Sequence, residues 1–254
     1  MCRLSCAIIT KNEERNIASC LQSVSFADEL VVVDSGSTDM TIEIAKKFGC
    51  RVFVRPFDGF GHQKQYAIER CKGEWILLID ADERVPEETR SKIEEVLAED
   101  RGVSAFGFTR KNFFRGRWMR HGGLWPDRVI RLFKKGRAQM SRRPVHEHLI
   151  VDGKVSFLEV PLLHFLEGSV DIVLKKIELY ADLHAEEALR RGQGSSVVRA
   201  AAHASLAFLY KYIIRLGFLD GQEGLLFASF DAIARFVKYT RLWELKEDEG
   251  STPS

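Results

Sequence analysis

Gly73-Glu74-Trp75-Ile76-Leu77-Leu78-Ile79-Asp80-Ala81-Asp82-Glu83 sets the architecture of this chain. Five apolar residues in a row, opened by glycine and closed by acids ahead of Pro86, read as a strand buried on both faces, the pattern of a parallel sheet. Asp80 and Asp82 then stand at the carboxyl end of that strand, the edge of an open α/β sheet where ligands bind. Successive side chains of an extended segment point to opposite sides, so the two acids share a face around Ala81. Two carboxylates on one face call for a cation or hydrogen-bond donors between them.

Working outward, the first hundred residues alternate short β-branched runs with helical patterns, as βαβ units do. Strands are expected at Leu4 to Ile9, Leu30 to Val33 and Arg51 to Val54. Thr10 and Glu13 form an S/T-x-x-E capping box ahead of a helix carrying Ile17, Leu21 and Val24. The turn Asp34-Ser35-Gly36-Ser37-Thr38-Asp39 leads into a helix that buries Ile42, Ala45 and Phe48, and a helix around Gln63 to Cys71 precedes the deciding strand. Pro86 suits the first turn of a helix with Ile93, Val96 and Leu97. From Ala105 to His164 the pattern is irregular and basic, with strands at Ala105 to Arg110, Val129 to Phe133 and Val155 to Leu163.

Beyond Gly168-Ser169 helix formers take over, interrupted at Gly192 to Ser196 and resuming over Ala200 to Leu216 and Leu225 to Leu245. The expected organisation is an α/β domain over 1–166, a helical region over 167–245 and a frayed polar tail over 246–254. The chain has 254 residues, 45% of them hydrophobic, so a large core is within reach. Five cysteines, odd in number and without CxxC spacing, read as reduced thiols. The N-terminus lacks a long apolar signal segment, and no window offers the roughly 20 unbroken apolar residues of a spanning helix, so a soluble or surface-attached protein is expected.

The βαβ reading brings Thr10-Lys11-Asn12, Asp34, and Asp80 with Asp82 to one sheet edge. Each acid alone could be a turn cap or a solvated surface group. Together they fit a nucleoside diphosphate: Asp34 accepting from a uracil imide, Asp80 taking ribose hydroxyls, and Asp82 binding a divalent cation that bridges two phosphates. Mg2+ or Mn2+ suits such a place, since these ions are held by one or two carboxylates plus substrate phosphates. Between Arg110 and Arg143 stand twelve basic residues and one acid, Asp127. Interleaved Phe113, Phe114, Trp118 and Trp125 would fit nucleic acid, but no nucleic-acid motif accompanies them; a phosphorylated glycolipid or an anionic membrane surface explains charge and aromatics together.

At these residues the chain resembles the inverting family 2 glycosyltransferases of the GT-A fold, with their Asp-x-Asp motif. The likeness covers Ile8 to Glu13, Val31 to Asp39 and Gly73 to Glu83, and implies a Rossmann-like nucleotide-sugar-binding sheet. It implies donor contacts from Thr10, Asn12, Glu13, Asp34, Asp80 and Ala81, with Lys64-Gln65 standing where many relatives carry Arg-Asn near the base. His121 to Arg128, Arg131-Leu132-Phe133 and Pro144 to Glu147 look like the subgroup of lipopolysaccharide-core glucosyltransferases. That likeness implies Glu147 as general base with Asp127 in reserve, Arg128 and Arg131 at the donor, and His164 beside Asp82 as metal ligand.

The implied enzyme moves a sugar, with UDP-glucose the first expectation, onto a hydroxyl of a glycolipid at the cytoplasmic face of the inner membrane. A polyprenyl-phosphate glycosyltransferase, an aspartyl-phosphate phosphotransferase and a non-catalytic nucleotide-sugar sensor are the competing readings.

Overall fold

Leu4 to Ile9 and Trp75 to Ile79 are continuous apolar runs because their strands lie in the middle of a sheet, covered on both faces. In the computed structural model, which describes residues 2–99, 102–141, 148–166 and 168–251, they become β1 (Leu4–Thr10) and, after α1 (Ile17–Ser23), β2 (Glu29–Asp34), α2 (Thr41–Lys47), β3 (Arg51–Val54) and α3 (Phe60–Arg70), β4 (Trp75–Asp80). There follow β5 (Glu83–Arg84), α4 (Glu87–Ala98), β6 (Ala105–Phe114), β7 (Arg117–Trp118), β8 (Asp127–Lys134), β9 (Ala138–Met140), β10 (Leu149–Val151) and β11 (Val155–Leu166). The helices α5 (Val170–Arg190), α6 (Val197–Leu209) and α7 (Gly221–Ser251) close the chain, with a π-helical turn at Tyr210–Ile214 and a 3-10 turn at Gly217–Asp220 before the last.

The main sheet runs β3-β2-β1-β4-β8-β6-β11-β5, with β7 hairpinned onto β6. The first four are parallel and β8 is antiparallel to β4. Register puts Thr10 beside Asp34 and Ile9 beside Asp80, so the chain points singled out above meet at one carboxyl edge. β8 carries a bulge: Leu132 pairs with Phe106 but Ile130 with Gly107, leaving Arg131 as the extra residue.

Two compact units emerge, Met1–Lys111 with Asp127–Phe165, and Asn112–Pro126 with Leu166–Ser254. The sequence reading drew its boundary at 166; here 112–126 groups with the helices, because its hairpin turns on β7 and its far end bonds to residues 215–220. The first unit holds both large cores, one around Ile8, Leu77 and Phe108, the other around Ala7, Ile76 and Phe133. The second unit's core of buried residues is Ala185, Ala188 and Leu242.

Several local expectations change. The capping box does not form: Asn12 takes a left-handed φ of 53°, the helix starts at Ile17, and its cap residue Asn16 makes no side-chain cap bond. Phe48 lies on the exposed end of α2. Residues 246–251, expected to fray, extend α7, since Lys246, Glu247 and Asp248 continue a helix already nucleated by 25 residues before them. One segment among the described residues, Val197–Ile214, is long and apolar enough to cross a membrane by length and composition, where none was expected. All five cysteines are free, and burial pushes the Cys71 thiol up to about 12 and raises those of Cys6 and Cys20 as well.

Candidate active site

Asp80 ends a strand whose side chains are buried to the last residue, so its carboxylate leaves the core already surrounded by protein. Burial alone would raise its pKa. Arg131 above all, then Lys64, His164 and Arg110, outweigh that and hold Asp80 well below the usual carboxylate range. Arg131 Nη2 donates to Asp80 Oδ2 at 2.6 Å, and Lys64 Nζ lies 3.3 Å from Oδ1. The bulge explains the arginine: as the extra residue of β8, Arg131 is freed from the ladder and turned inward, where it is 6% exposed.

Glu83, fully buried, binds this group together. Its Oε1 accepts from Arg131 Nη2 at 2.6 Å and Arg110 Nη1 at 3.0 Å, and its Oε2 from the Asp80 N–H at 3.1 Å. Arg110 in turn donates through Nε and Nη2 to Asp127 Oδ2 at 2.9 and 2.8 Å. The result is an unbroken chain of charge, Asp80–Arg131–Glu83–Arg110–Asp127. Burial pulls the Arg131 guanidinium down, but Asp80 and Glu83 reverse that and keep it protonated. Its Nε and the Thr10 hydroxyl at the same edge are buried without a partner. Such orphaned groups are rare in a folded chain and mark a place finished by something else.

Asp82 lies one turn further, where Phe165 N–H donates to its carbonyl at 2.9 Å and aligns β11. His164, paired with Glu83 across the β5–β11 ladder, thereby sets Nε2 3.4 Å from Asp82 Oδ2. A carboxylate and an imidazole converge from segments 82 residues apart. Among the described residues no group of three or more His, Cys, Asp or Glu makes a closed metal cage. Two protein donors with open positions are what a cation shared with substrate phosphates requires, so this pair fits Mg2+ or, with its imidazole, Mn2+.

Not every expected residue joins. Asp34 is 0% exposed and its oxygens are spent on its own turn: Oδ1 accepts the N–H groups of Gly36 and Ser37 at 2.8 and 2.7 Å, and Oδ2 the Ser37 hydroxyl. These bonds shape the loop. Gln65 points to β9, where its Oε1 takes the Met140 N–H at 2.9 Å. Ala81 is buried in the core, and Arg128 is exposed with its guanidinium 5.4 Å from the centre of the Phe157 ring. Asn12 and Glu13 stitch the first loop to the second: Asn12 Oδ1 accepts from Thr38 N–H, and the Glu13 N–H donates to Thr41 Oγ1. Asp127, the reserve base, is the far end of the charge chain. Glu147 lies outside the described residues.

Glu83, Arg110 and Gln63 are not assigned to the site by the sequence. Gln63 is fully buried and donates to Ser35 Oγ and Arg55 O, pinning the Asp34 turn to α3. Arg131 carried the usable signal, since a cation inside the run Val129 to Phe133 requires a buried anion nearby.

An acid pair and a converging histidine thus stand at the carboxyl edge of a mixed sheet. The model for "Glycosyl transferase family 2" matches residues 5–157. An uncharacterized glycosyltransferase of Rickettsia typhi is 32% identical over 96% of this chain and 88% of its own. The lipopolysaccharide core biosynthesis glycosyltransferase LpsC of Rhizobium meliloti is 28% identical over 95% and 92%. The solved structure of S. aureus TarS 1-349 with UDP-GlcNAc covers 99% of this chain and 93% of that one at 16% identity, with a TM-score of 0.50, a likeness of fold. The chain belongs to glycosyl transferase family 2 and is a glycosyltransferase.

Proposed function

We propose that the protein is a metal-dependent, inverting hexosyltransferase that moves glucose from UDP-glucose to a hydroxyl of a lipopolysaccharide-core or similar glycolipid. The observation that carries this reading is the Asp82–His164 pair beside the Asp80 cluster at the carboxyl edge. Asp82 and His164 would hold the cation, which supplies Lewis-acid stabilisation to a departing diphosphate. Lys64 and Arg131 face the same edge, and the spare Arg131 Nε and Thr10 hydroxyl are available to the donor. Asp80, ionised throughout the working range, accepts from ribose hydroxyls.

Glu147 is assigned the proton of the attacking hydroxyl. The alternative, Asp127, has its Oδ2 held by Arg110 Nε and Nη2 at the far end of the charge chain. The kinship with LpsC supports the glycolipid acceptor. The enzyme works at the cytoplasmic face of the inner membrane, as a peripheral protein with no nucleic-acid partner.

The test is a panel of nucleotide sugars with Mg2+, Mn2+ or a chelator, scored for nucleoside diphosphate release and for intact glycosylated product. UDP-glucose with metal should lead, and equal turnover in chelator would remove the cation from the reading. An acceptor phosphate, as on a polyprenyl phosphate, needs no general base. Full activity of Glu147→Gln on such an acceptor would favour that alternative, and donor binding without any turnover would favour a sensor.

A further inference from the structure

Along α6 the helical unit is built inside out. The residues α6 buries are Ala200 and Ala207, while Val198 is 80% exposed, Leu206 64% and Ile214, in the π-helical turn, 67%. Val198, Leu206, Leu209 and Ile213 recur at helical spacing and form one outward stripe. Water gives no reason for large side chains to occupy the outer face and alanines the inner one.

The unbalanced charge along the stripe is of one sign. Between Glu187 and Asp220 the sequence holds five basic residues and no acid. Arg190, Arg191 and Lys211 are balanced by Glu186, Glu187 and Asp231. Arg199 and Arg215, at the two ends of the stripe, have no carboxylate partner among the described residues; they lie against the rings of Tyr239 and Tyr210. The segment 112–126, in the same unit, is tied to the far end: Gly122 N–H donates to Arg215 O at 2.8 Å and Arg117 Nη2 to Leu219 O at 3.3 Å. It adds exposed Arg115 and Arg120, with Trp118 and Trp125 packed edge to face.

We propose that this face, from Val198 to Leu219, lies in the headgroup region of an anionic lipid bilayer, with the leucines and isoleucines entering the acyl boundary and the arginines meeting lipid phosphates. An apolar stripe flanked by cations is the composition of interfacial helices. A second copy of the chain would set arginine against arginine with no acid to intervene, and a spanning orientation would carry the Lys211–Asp231 pair into hydrocarbon. The inference deepens the reading of a lipid-borne acceptor, on which it rests, by assigning the surface that brings the enzyme to it.

Flotation of the full chain with vesicles of phosphatidylcholine, alone or mixed with phosphatidylglycerol, tests this. The protein should rise with the mixed vesicles, less so in high salt, and be released by alkaline carbonate. Leu206→Gln with Leu209→Gln should weaken binding on the order of tenfold, and Arg199→Glu with Arg215→Glu should erase the preference for anionic lipid. Both variants should keep wild-type circular dichroism and UDP release from UDP-glucose without vesicles. Should the leucine pair unfold the protein, Val198→Ser at the most exposed position takes its place.

No flotation of the wild type, retention through carbonate, or a dimer that the leucine pair splits in the absence of vesicle binding would each overturn the proposal. Flotation as expected from an enzyme that releases no UDP from any donor would defeat the functional reading and leave the docking surface standing.

Discussion

In the sheet unit the large side chains go inward: Ile8, Ile76, Leu77, Phe108 and Phe133 are fully buried, each worth about 1.5–3 kcal/mol against exposure. In the helical unit the buried positions along α5 are Ala181, Ala185 and Ala188, and along α6 Ala200 and Ala207, while Ile172, Leu174, Leu179, Val198, Leu206 and Leu209 are exposed. The sheet unit also encloses its charges, which neutralise one another in the chain from Asp80 to Asp127. The helical unit leaves arginines at its surface without acids to balance them. One unit has completed its own burial, and it holds the candidate site. The other is only partly covered by itself, the condition expected of a part that works against another surface.

The sharpest way to break this contrast is at Arg131. Arg131→Met leaves Asp80 and Glu83 buried without their shared cation and should cost about 3–5 kcal/mol of stability in urea unfolding along with all transfer activity. A loss confined to activity would mean the charge chain supports nothing but the donor. Next comes Glu147→Gln, expected to lower kcat by about 10²–10⁴ with donor affinity unchanged, measured by steady-state kinetics and calorimetry. Asp82→Asn should cost about 10²–10³ in kcat/KM and shift the Mn2+ requirement upward, while thermal unfolding stays near wild type. A destabilised Asp82→Asn protein would show that the pair with His164 is structural.

In the helical unit the expected effects are smaller. A Cβ on Gly224 would stand 1.9 Å from the Gly217 carbonyl oxygen, so Gly224→Ala must shift the start of α7 and should cost about 1–3 kcal/mol. Smallest of all is Leu206→Gln, expected within about 0.5 kcal/mol of wild type because the side chain is already in water. A leucine whose removal cost as much as a core residue would end the contrast between the units. Acid adds a check on the sheet unit. Because Asp80 is held below its ordinary range, its stabilisation is complete at neutral pH and is lost only as pH falls beneath that range. Asp80→Asn should therefore lower stability at neutral pH and narrow its difference from wild type in strong acid.

Much of this fold was legible because its strands are punctuated. Continuous runs bounded by glycine, proline and acids admit few other readings, and Arg51 to Val54 and Trp75 to Ile79 fall where those bounds put them. The start of α1 was not legible, since the left-handed turn at Asn12 depends on Ser37 and Thr38 from the neighbouring loop. The edge position of Asp80 and Asp82 followed from their strand. Their partners did not: Glu83 meets Arg110 across 27 residues and Arg131 across 48, through a bulge that alternation alone cannot announce. Asp34 illustrates another case, where the plain reading of a turn cap describes the hydrogen bonds it makes. The placement of 112–126 with the helices depended on Asp220, which accepts from His121 N–H and Nδ1 at a separation of 99 residues.

All five cysteines fall between residues 2 and 71, within the sheet unit. Cys6, Cys20 and Cys71 are sealed, and their thiols are held far from the thiolate that an alkylating reagent attacks. The native chain thus carries its own clock. The rate at which these three positions accept a maleimide reports how often the sheet and the helices α1 and α3 packed on it open.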